Sequence, residues 1–322
     1  MQISAVGAAV DAATVFMRSK GMADEALQGS SLAWTILRPG LVLGAQAYGG
    51  SALLHALAGL PLVTPLPPAP PIRSVALDEV AAIARAAVEG QLPDRRIYDL
   101  VEDRAHSLED IVRHLRSRLG FPPARTLHLP LWVFRLFFRL GDAAGWLGWR
   151  PPMRTTSLHQ ILAGIDGDPQ PLMAATGQSL KPLPEIFNVI DGSARGRWFA
   201  HLFLLKPVII VTLGLFWLTS GLIGLFEADS AQAVLTSRGF GTGGAALAVH
   251  GGALVDTALG AAMLFRRTMP AAAIGMIGVT ASYLLAGTLF TPGLWLDPLG
   301  PFVKTLPAAV LALVALAIRD AR

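Results

Sequence analysis

Two ionisable side chains, His250 and Asp256, stand inside one long apolar stretch, AALAVHGGALVDTALGAAMLF. Charge placed in hydrocarbon is costly, so such residues face a bundle interior or a water path. A functional reading makes them a proton, quinone or small-ligand site. A structural reading makes Asp256 a hydrogen-bond partner and His250 a residue near the interface. Elsewhere, His106, His114 and His128 read as ordinary helix or loop residues, and His55, His159 and His201 stand alone. No histidine belongs to an H-E-x-x-H pattern. There is no G-x-S-x-G elbow, no P-loop and no cysteine. Thiolate nucleophiles, disulfides and cysteine-based metal sites are therefore excluded, and no metal is expected.

The elements that must hold these groups are apolar. Hydrophobic residues make up 53% of the 322 residues and charged residues 15%, against about 25% charged in a soluble domain. Residues 1–200 hold 19 Lys+Arg and 17 Asp+Glu, and residues 201–322 only 7 and 5, so the second segment is the depleted one. Four apolar stretches lie there, at about 204–226, 245–265, 269–289 and 301–318. Each approaches the ~20 residues a helix needs to cross the hydrocarbon core. The fourth is the shortest and carries Lys304, which can snorkel to the interface. The stretches are rich in Gly, Ala, Ser and Thr, which let helices approach closely where no hydrophobic force drives association. A bundle of four transmembrane helices is expected.

Orientation follows from Lys and Arg in short loops. Arg195, Arg197 and Lys206 precede or open the first stretch, Arg266 and Arg267 lie between the second and third, and Arg319 and Arg322 follow the fourth. Four crossings put all three clusters on one side. The opposite loops hold Glu227, Asp229, Arg238 and Asp297. Both termini and the N-terminal part are expected on the cytoplasmic side. The N-terminus lacks a basic n-region and Asp11 breaks its apolar run, so it does not read as a signal peptide. No Lys/Arg stripe with interleaved aromatics occurs, so nucleic acid is not an expected partner. The expected partners are the lipid bilayer, a small hydrophobic ligand or quinone, and a second copy of the chain or a chain supplying a missing half.

Residues 1–200 alternate strand and helix signals. A strand is expected over 2–7, a helix over 12–29 ending at Gly29, and a strand within 32–44 that Pro39 and Gly40 end. The Pro-rich 63–71 reads as a surface loop. Helices follow over 77–90 and 107–120, with a strand at 96–101 between them, and Arg113, Arg116 and Arg118 read as a polar helix face. Strand–helix alternation with apolar strands is the pattern of a parallel sheet with crossover helices. The stretch 130–149, LWVFRLFFRLGDAAGWLGW after Pro130, is unusually apolar; it lines a pocket, packs on the sheet or rests on a membrane interface.

The stretches ISAVGA, VFMRSKGMADEAL and SSLAWTILRPGLVLG together resemble the short-chain dehydrogenase/reductase superfamily, in its extended or atypical branch. HLFLLKPVIIVTLGLFWLTSGLIGL resembles a DoxX-like four-helix membrane domain. The joint resemblance implies a partial Rossmann-like α/β domain over 1–195, fused to an all-α four-helix transmembrane domain over 202–322, in a bacterial inner membrane. It implies NAD or NADP as cofactor and an oxidoreductase activity. Ser4, Lys20, Arg38 and Pro39 fall on the family positions: Ser4 orients a substrate carbonyl or hydroxyl, Lys20 holds the nicotinamide ribose, and Pro39 lies on the cofactor side. Arg38 reads best as a salt-bridged or surface residue.

Two departures qualify that implication. Phe16 stands where the family has its acid/base Tyr, four residues before Lys20 on one helix face, and a phenyl ring has no proton to exchange. The Gly-rich turn that cradles a pyrophosphate at a helix N-terminus does not occur among the strand and helix signals of residues 1–200. The family's first βαβ unit is therefore expected upstream of a mis-assigned start, on a separate partner, or lost from a degenerate domain that acts as a scaffold. The lack of cysteine makes the orientation directly measurable. A membrane-impermeant maleimide is expected to label an Arg238→Cys variant in intact cells and an Arg267→Cys variant only after permeabilisation; the opposite pattern reverses the topology.

Overall fold

In the computed structural model, which describes residues 1–296, 298 and 300–319, the chain divides into two compact units. Met1–Ala143 with Arg150–His201 form the first, and Ala144–Trp149 with the residues from Leu202 onward form the second. Asp297 and Arg322, used in the charge argument, lie outside the described residues.

The first unit runs β1 (Gln2–Ile3), α1 (Val15–Gln28), β2 (Thr35–Pro39), β3 (Leu41–Leu43), α2 (Gly50–Ala58), β4 (Val63–Leu66), β5 (Ser74–Ala76), α3 (Leu77–Val88), β6 (Arg96–Leu100), α4 (Leu108–Arg118), β7 (Arg125–His128), α5 (Leu131–Trp146), α6 (Thr155–Ala163), α7 (Gln170–Thr176) and α8 (Leu183–Ile186). The strands form three parallel sheets, ordered β1-β2-β6, β3-β5 and β4-β7. Interspersed helices and parallel strands make this unit Rossmann-like in class. The expected strand over 2–7 is regular only at Gln2–Ile3, but Ser4 and Val6 extend its ladder by donating to the Leu37 and Pro39 carbonyls.

Local signals explain most boundaries. The Thr14 hydroxyl caps α1 by accepting from Met17 N at 3.3 Å. Ser107 caps α4 in the same way from Asp110 N, with Glu109 and Asp110 at the positive end and Arg116 and Arg118 at the negative end. Leu108, Ile111, Val112 and Leu115 recur at helical spacing and are buried against Leu54, Leu66, Leu183 and Ile186. Full burial of each such side chain contributes about 1.5–3 kcal/mol. At Gly40 the chain leaves one sheet for another: Gly40 N donates to Leu100 O, and Leu41 N to Arg73 O. A Cβ at Gly40 would stand 2.6 Å from the Arg73 carbonyl oxygen, so only glycine fits this passage.

Two expectations are corrected, and the alternatives left open for the 130–149 stretch are narrowed. The Pro-rich stretch is not wholly loop: Val63–Leu66 pairs with Arg125–His128, because Thr64 and Leu66 alternate inward while Pro65 sits in a two-stranded sheet where both strands are edges. Arg116 is not on the polar face of α4. It is buried, and its guanidinium donates to the carbonyls of Ala58, Leu60 and Pro122, collecting acceptors left at the end of α2. The apolar 131–146 helix packs on helices rather than on a sheet. Phe134 and Phe138 are buried with Leu53 and Leu158, while Trp132, Phe137 and Leu140 stay exposed.

The second unit contains α9 (Ala194–Phe226, beginning in the first unit), α10 (Ala228–Ser237), α11 (Thr242–Leu264), α12 (Met269–Phe290) and α13 (Pro301–Ala317). Among the described residues, α9, α11 and α12 are long and apolar enough to cross a membrane. Three helices, not four, meet that length; α13 has 17 residues because Pro301 opens it and it ends at Ala317. The short helix α10 fills what the sequence suggested was a loop. Outward faces carry Leu215, Phe216, Leu247, Leu254, Ile274 and Leu285, all exposed, which suits lipid and not water. Residues 214–264 pack through glycines. A Cβ at Gly260 would meet Leu218 N and come 2.9 Å from Gly214 O, and one at Gly221 would reach Ala253 O at 2.6 Å. Trp149 joins this unit through its indole N–H, which donates to Leu264 O at 2.7 Å.

Glu102 ties the first unit together. It is buried, and its carboxylate accepts from Ser74 N at 3.1 Å, Leu183 N at 2.8 Å and the His106 ring at 3.1 Å. Burial pushes its pKa above the ordinary 4.5, and these three partners pull it part of the way back. A carboxyl raised in the folded state stabilises fully below its unfolded pKa and loses that contribution as pH rises through the folded value. Thermal melts in detergent are therefore expected to show the wild-type protein losing stability relative to Glu102→Gln as pH rises from 4.5. A pH-independent difference between the two would show that Glu102 does not titrate in that window.

Candidate functional site

The end of the β1-β2-β6 sheet gathers most of the residues singled out in the sequence. Ser4 follows β1, Arg38 lies on β2, and both point to Asp24 on α1, whose side chain is 1% exposed. Ser4 Oγ donates to Asp24 Oδ2 at 2.8 Å. Arg38 donates to the same oxygen through Nε at 3.1 Å and a terminal nitrogen at 2.9 Å. Gln2 Nε2 donates to Oδ1 at 2.7 Å. Both oxygens of this buried carboxylate are thus engaged, and the Ser4 hydroxyl is only 3% exposed. Asp24 itself was not singled out from sequence: it sits among the polar residues of an amphipathic helix, and nothing local marks it as buried.

Phe16 and Lys20 lie elsewhere on α1. Phe16 is exposed, and Lys20 Nζ donates to Ile3 O at 3.0 Å while sitting 5.4 Å from the Phe16 ring centre. Pro39 is buried in β2, and its carbonyl accepts from Val6 N at 3.2 Å. Beside this group, Asp99 pairs in register with Arg38, and its carboxylate accepts from Asp168 N at 3.0 Å. Burial raises the Asp99 pKa, opposed by the Asp168 backbone hydrogen bond and by the charge of Arg38. The structure therefore brings Ser4 and Arg38 together on a shared carboxylate and leaves Lys20 against Phe16 and a backbone carbonyl.

A second feature had no sequence signal. A cavity of about 460 Å³ lies between α4 and the β4-β7 pair. Leu66, Val112 and Phe121 line it, Glu109 and Arg113 stand at it, and the buried Thr64 hydroxyl faces no hydrogen-bond partner. No group of three or more His, Asp or Glu suited to a metal occurs among the described residues.

In the second unit His250 and Asp256 part company. His250 is exposed, and its ring lies 3.5 Å from the Gln232 amide on α10. Asp256 turns inward, and Ser220 Oγ on α9 donates to its Oδ2 at 3.1 Å.

Residues 214–313 match the DoxX-like family model, which covers less than half of the chain. No curated protein is significantly similar to it. Among solved structures, the crystal structure of gox2253 aligns at 18% identity and a TM-score of 0.38, covering 55% of this chain and 54% of that one. A Thermus thermophilus UDP-glucose 4-epimerase in complex with NAD aligns at 19% identity and a TM-score of 0.29, covering 49% of this chain and 62% of that one. The chain spans little more than half of either, and both resemblances are distant and partial.

The Asp24 cluster has a measurable weight. Asp24→Asn leaves Arg38 without its counter-charge, and removing one partner of a buried pair costs about 3–5 kcal/mol. Because Arg38 is partly exposed, a loss near 3 kcal/mol is expected, read as a lowered melting temperature in detergent. A loss below about 1 kcal/mol, the worth of a surface pair, would refute the bracing role.

Proposed function

We propose that this chain is a membrane-integral protein whose α/β unit works as a non-catalytic scaffold or binding module. One observation carries the reading: Asp24 takes up the Ser4 hydroxyl proton and two of the Arg38 guanidinium nitrogens, so both residues are committed to a buried carboxylate. Phe16 supports it, because the position that the family resemblance gives to an acid/base carries a hydrocarbon ring. The cavity between α4 and the β4-β7 pair has the size of a small-molecule site, about 300–1,000 Å³. In this reading α13 is a fourth, shorter crossing, and both termini lie on the cytoplasmic side with the α/β unit.

A second reading keeps an NAD(P)-binding, dehydrogenase-like role. It is favoured by Lys20, whose ammonium lies at the end of β1 and is held by one backbone carbonyl. There Lys20 would hold a ribose hydroxyl, Pro39 would border the cofactor, and the dinucleotide fingerprint would come from another segment. Calorimetric titration of the purified protein in detergent with NAD⁺, NADH, NADP⁺ and NADPH separates the two. The scaffold reading expects no saturable binding up to about 1 mM, the range of a very weak complex. Saturable binding that disappears in Lys20→Ala would overturn it in favour of the dinucleotide reading.

A further inference from the structure

Asp256 is the one buried carboxylate described above whose hydrogen bonding is incomplete. It is 8% exposed. Ser220 satisfies Oδ2, whereas Oδ1 is buried with no hydrogen-bond partner. It stands three residues from the middle of the 23-residue helix α11, roughly 4–5 Å along its axis. No bulk water reaches that depth of a bilayer, so an open acceptor there costs several kcal/mol unless another molecule donates to it.

Three helices bring protic groups to this level. Ser220 comes from α9 and Asp256 from α11. Tyr283 comes from α12, with its hydroxyl so close to α11 that a Cβ on Gly252 would stand 2.7 Å away. Small residues let the helices meet here: Gly252 and Ala253 lie one turn before Asp256, and Gly221 follows Ser220 and packs against Ala253 and Thr257.

Ser220, which donates to the carboxylate, also lines an outer groove. A groove of about 550 Å³ runs along the outer face of α9, between Leu215, Phe216, Thr219 and Ser220. Ser220 is exposed on the groove side, and its hydroxyl reaches inward to Asp256. Leu215, Phe216 and Ile223 give the groove its apolar surface, and Thr212, Thr219 and Ser220 its hydroxyls. All six residues that line it belong to α9, on the face that would meet lipid.

We propose that Asp256 and Ser220 form an intramembrane binding site for a lipophilic molecule with a small hydrogen-bond-donating head, a hydroxyl or an ammonium. The apolar body lies in the α9 groove, and the head donates to the open Asp256 oxygen. A donor is required because the open atom is an acceptor. A small head is required because the helices close in on Asp256: a Cβ at Gly221 would meet Thr257 Oγ1, and one at Gly252 would stand 2.7 Å from the Tyr283 hydroxyl. A role limited to joining helices would be met equally by asparagine, whose amide oxygen accepts from Ser220 just as the carboxylate does.

The test uses the full-length protein in lipid vesicles and dicyclohexylcarbodiimide, a lipid-soluble carboxyl reagent. The reagent captures the protonated fraction of Asp256, while a donor head binds the ionised form. The carboxyl O–H adds across one C=N bond of the reagent, giving an O-acylisourea that rearranges to a stable N-acylurea. Peptide mass spectrometry locates the adduct. The proposal expects modification at Asp256, absent in Asp256→Asn. Decanol and decylamine serve as probes, and decane as a probe of equal length with no donor. At about ten times its dissociation constant, a probe that occupies the site slows labelling about tenfold. Protection by decylamine alone identifies an ammonium site, by decanol alone a hydroxyl site, and by both a site for either head. Protection no greater than decane gives, or no adduct at Asp256 in the wild-type protein, overturns the proposal.

Discussion

A carboxylate taken out of water must be met by donors, and the rest of this structure is arranged around that demand. Asp24 is met by Gln2, Ser4 and Arg38, which joins β1, α1 and β2 at one point. Glu102 is met by two backbone N–H groups and His106, which joins β5, α8 and the segment leading into α4. Asp256 is met on one oxygen only. The first two are complete and therefore stiffen what surrounds them, since satisfied polar networks specify one packing. The third is left open in the place where water cannot close it.

That contrast separates the roles of the two units. The strand ends of a parallel sheet are where such folds usually hold ligands, but here the Asp24 cluster fills that end with mutual hydrogen bonds. On the scaffold reading proposed above, a serine whose proton is committed to a buried carboxylate is part of the framework. Exposed Phe16 and the neighbouring Lys20 offer one cation and no acid/base partner. The second unit has the opposite character: an apolar envelope, a glycine-lined crossing and a single carboxylate with capacity to spare.

Features that depend on neighbouring residues were legible in the sequence. The α4 stripe, its Ser107 cap and the three long apolar helices follow from spacing, capping chemistry and length, and each appears within a few residues of its expected place, except that α9 begins ten residues before the apolar stretch, at Ala194. Features made by residues distant in sequence were not. Strand β4 was hidden because prolines dominate its surroundings and its partner lies 62 residues away. Arg116 carries the same charge as its surface neighbours Arg113 and Arg118, and only the fold turns it toward the end of α2. Ser4 and Arg38 stood out in the sequence, but the residue that decides what they do, Asp24, did not. The inward and outward turns of Asp256 and His250 on one helix were equally unreadable, because the apolar run around them is uniform.

The hydrogen bonds that brace the first unit also differ in the length of chain they close. Those around Asp24 span 14, 20 and 22 residues. Those of Arg116 to Ala58 and Leu60 span 58 and 56, and those of Arg118 to Ile190 and Asn188 span 72 and 70. Closing a longer loop costs more chain entropy before any contact repays it. Of these three ties, the Asp24 joint therefore costs the least chain entropy to close and the Arg118 tie the most.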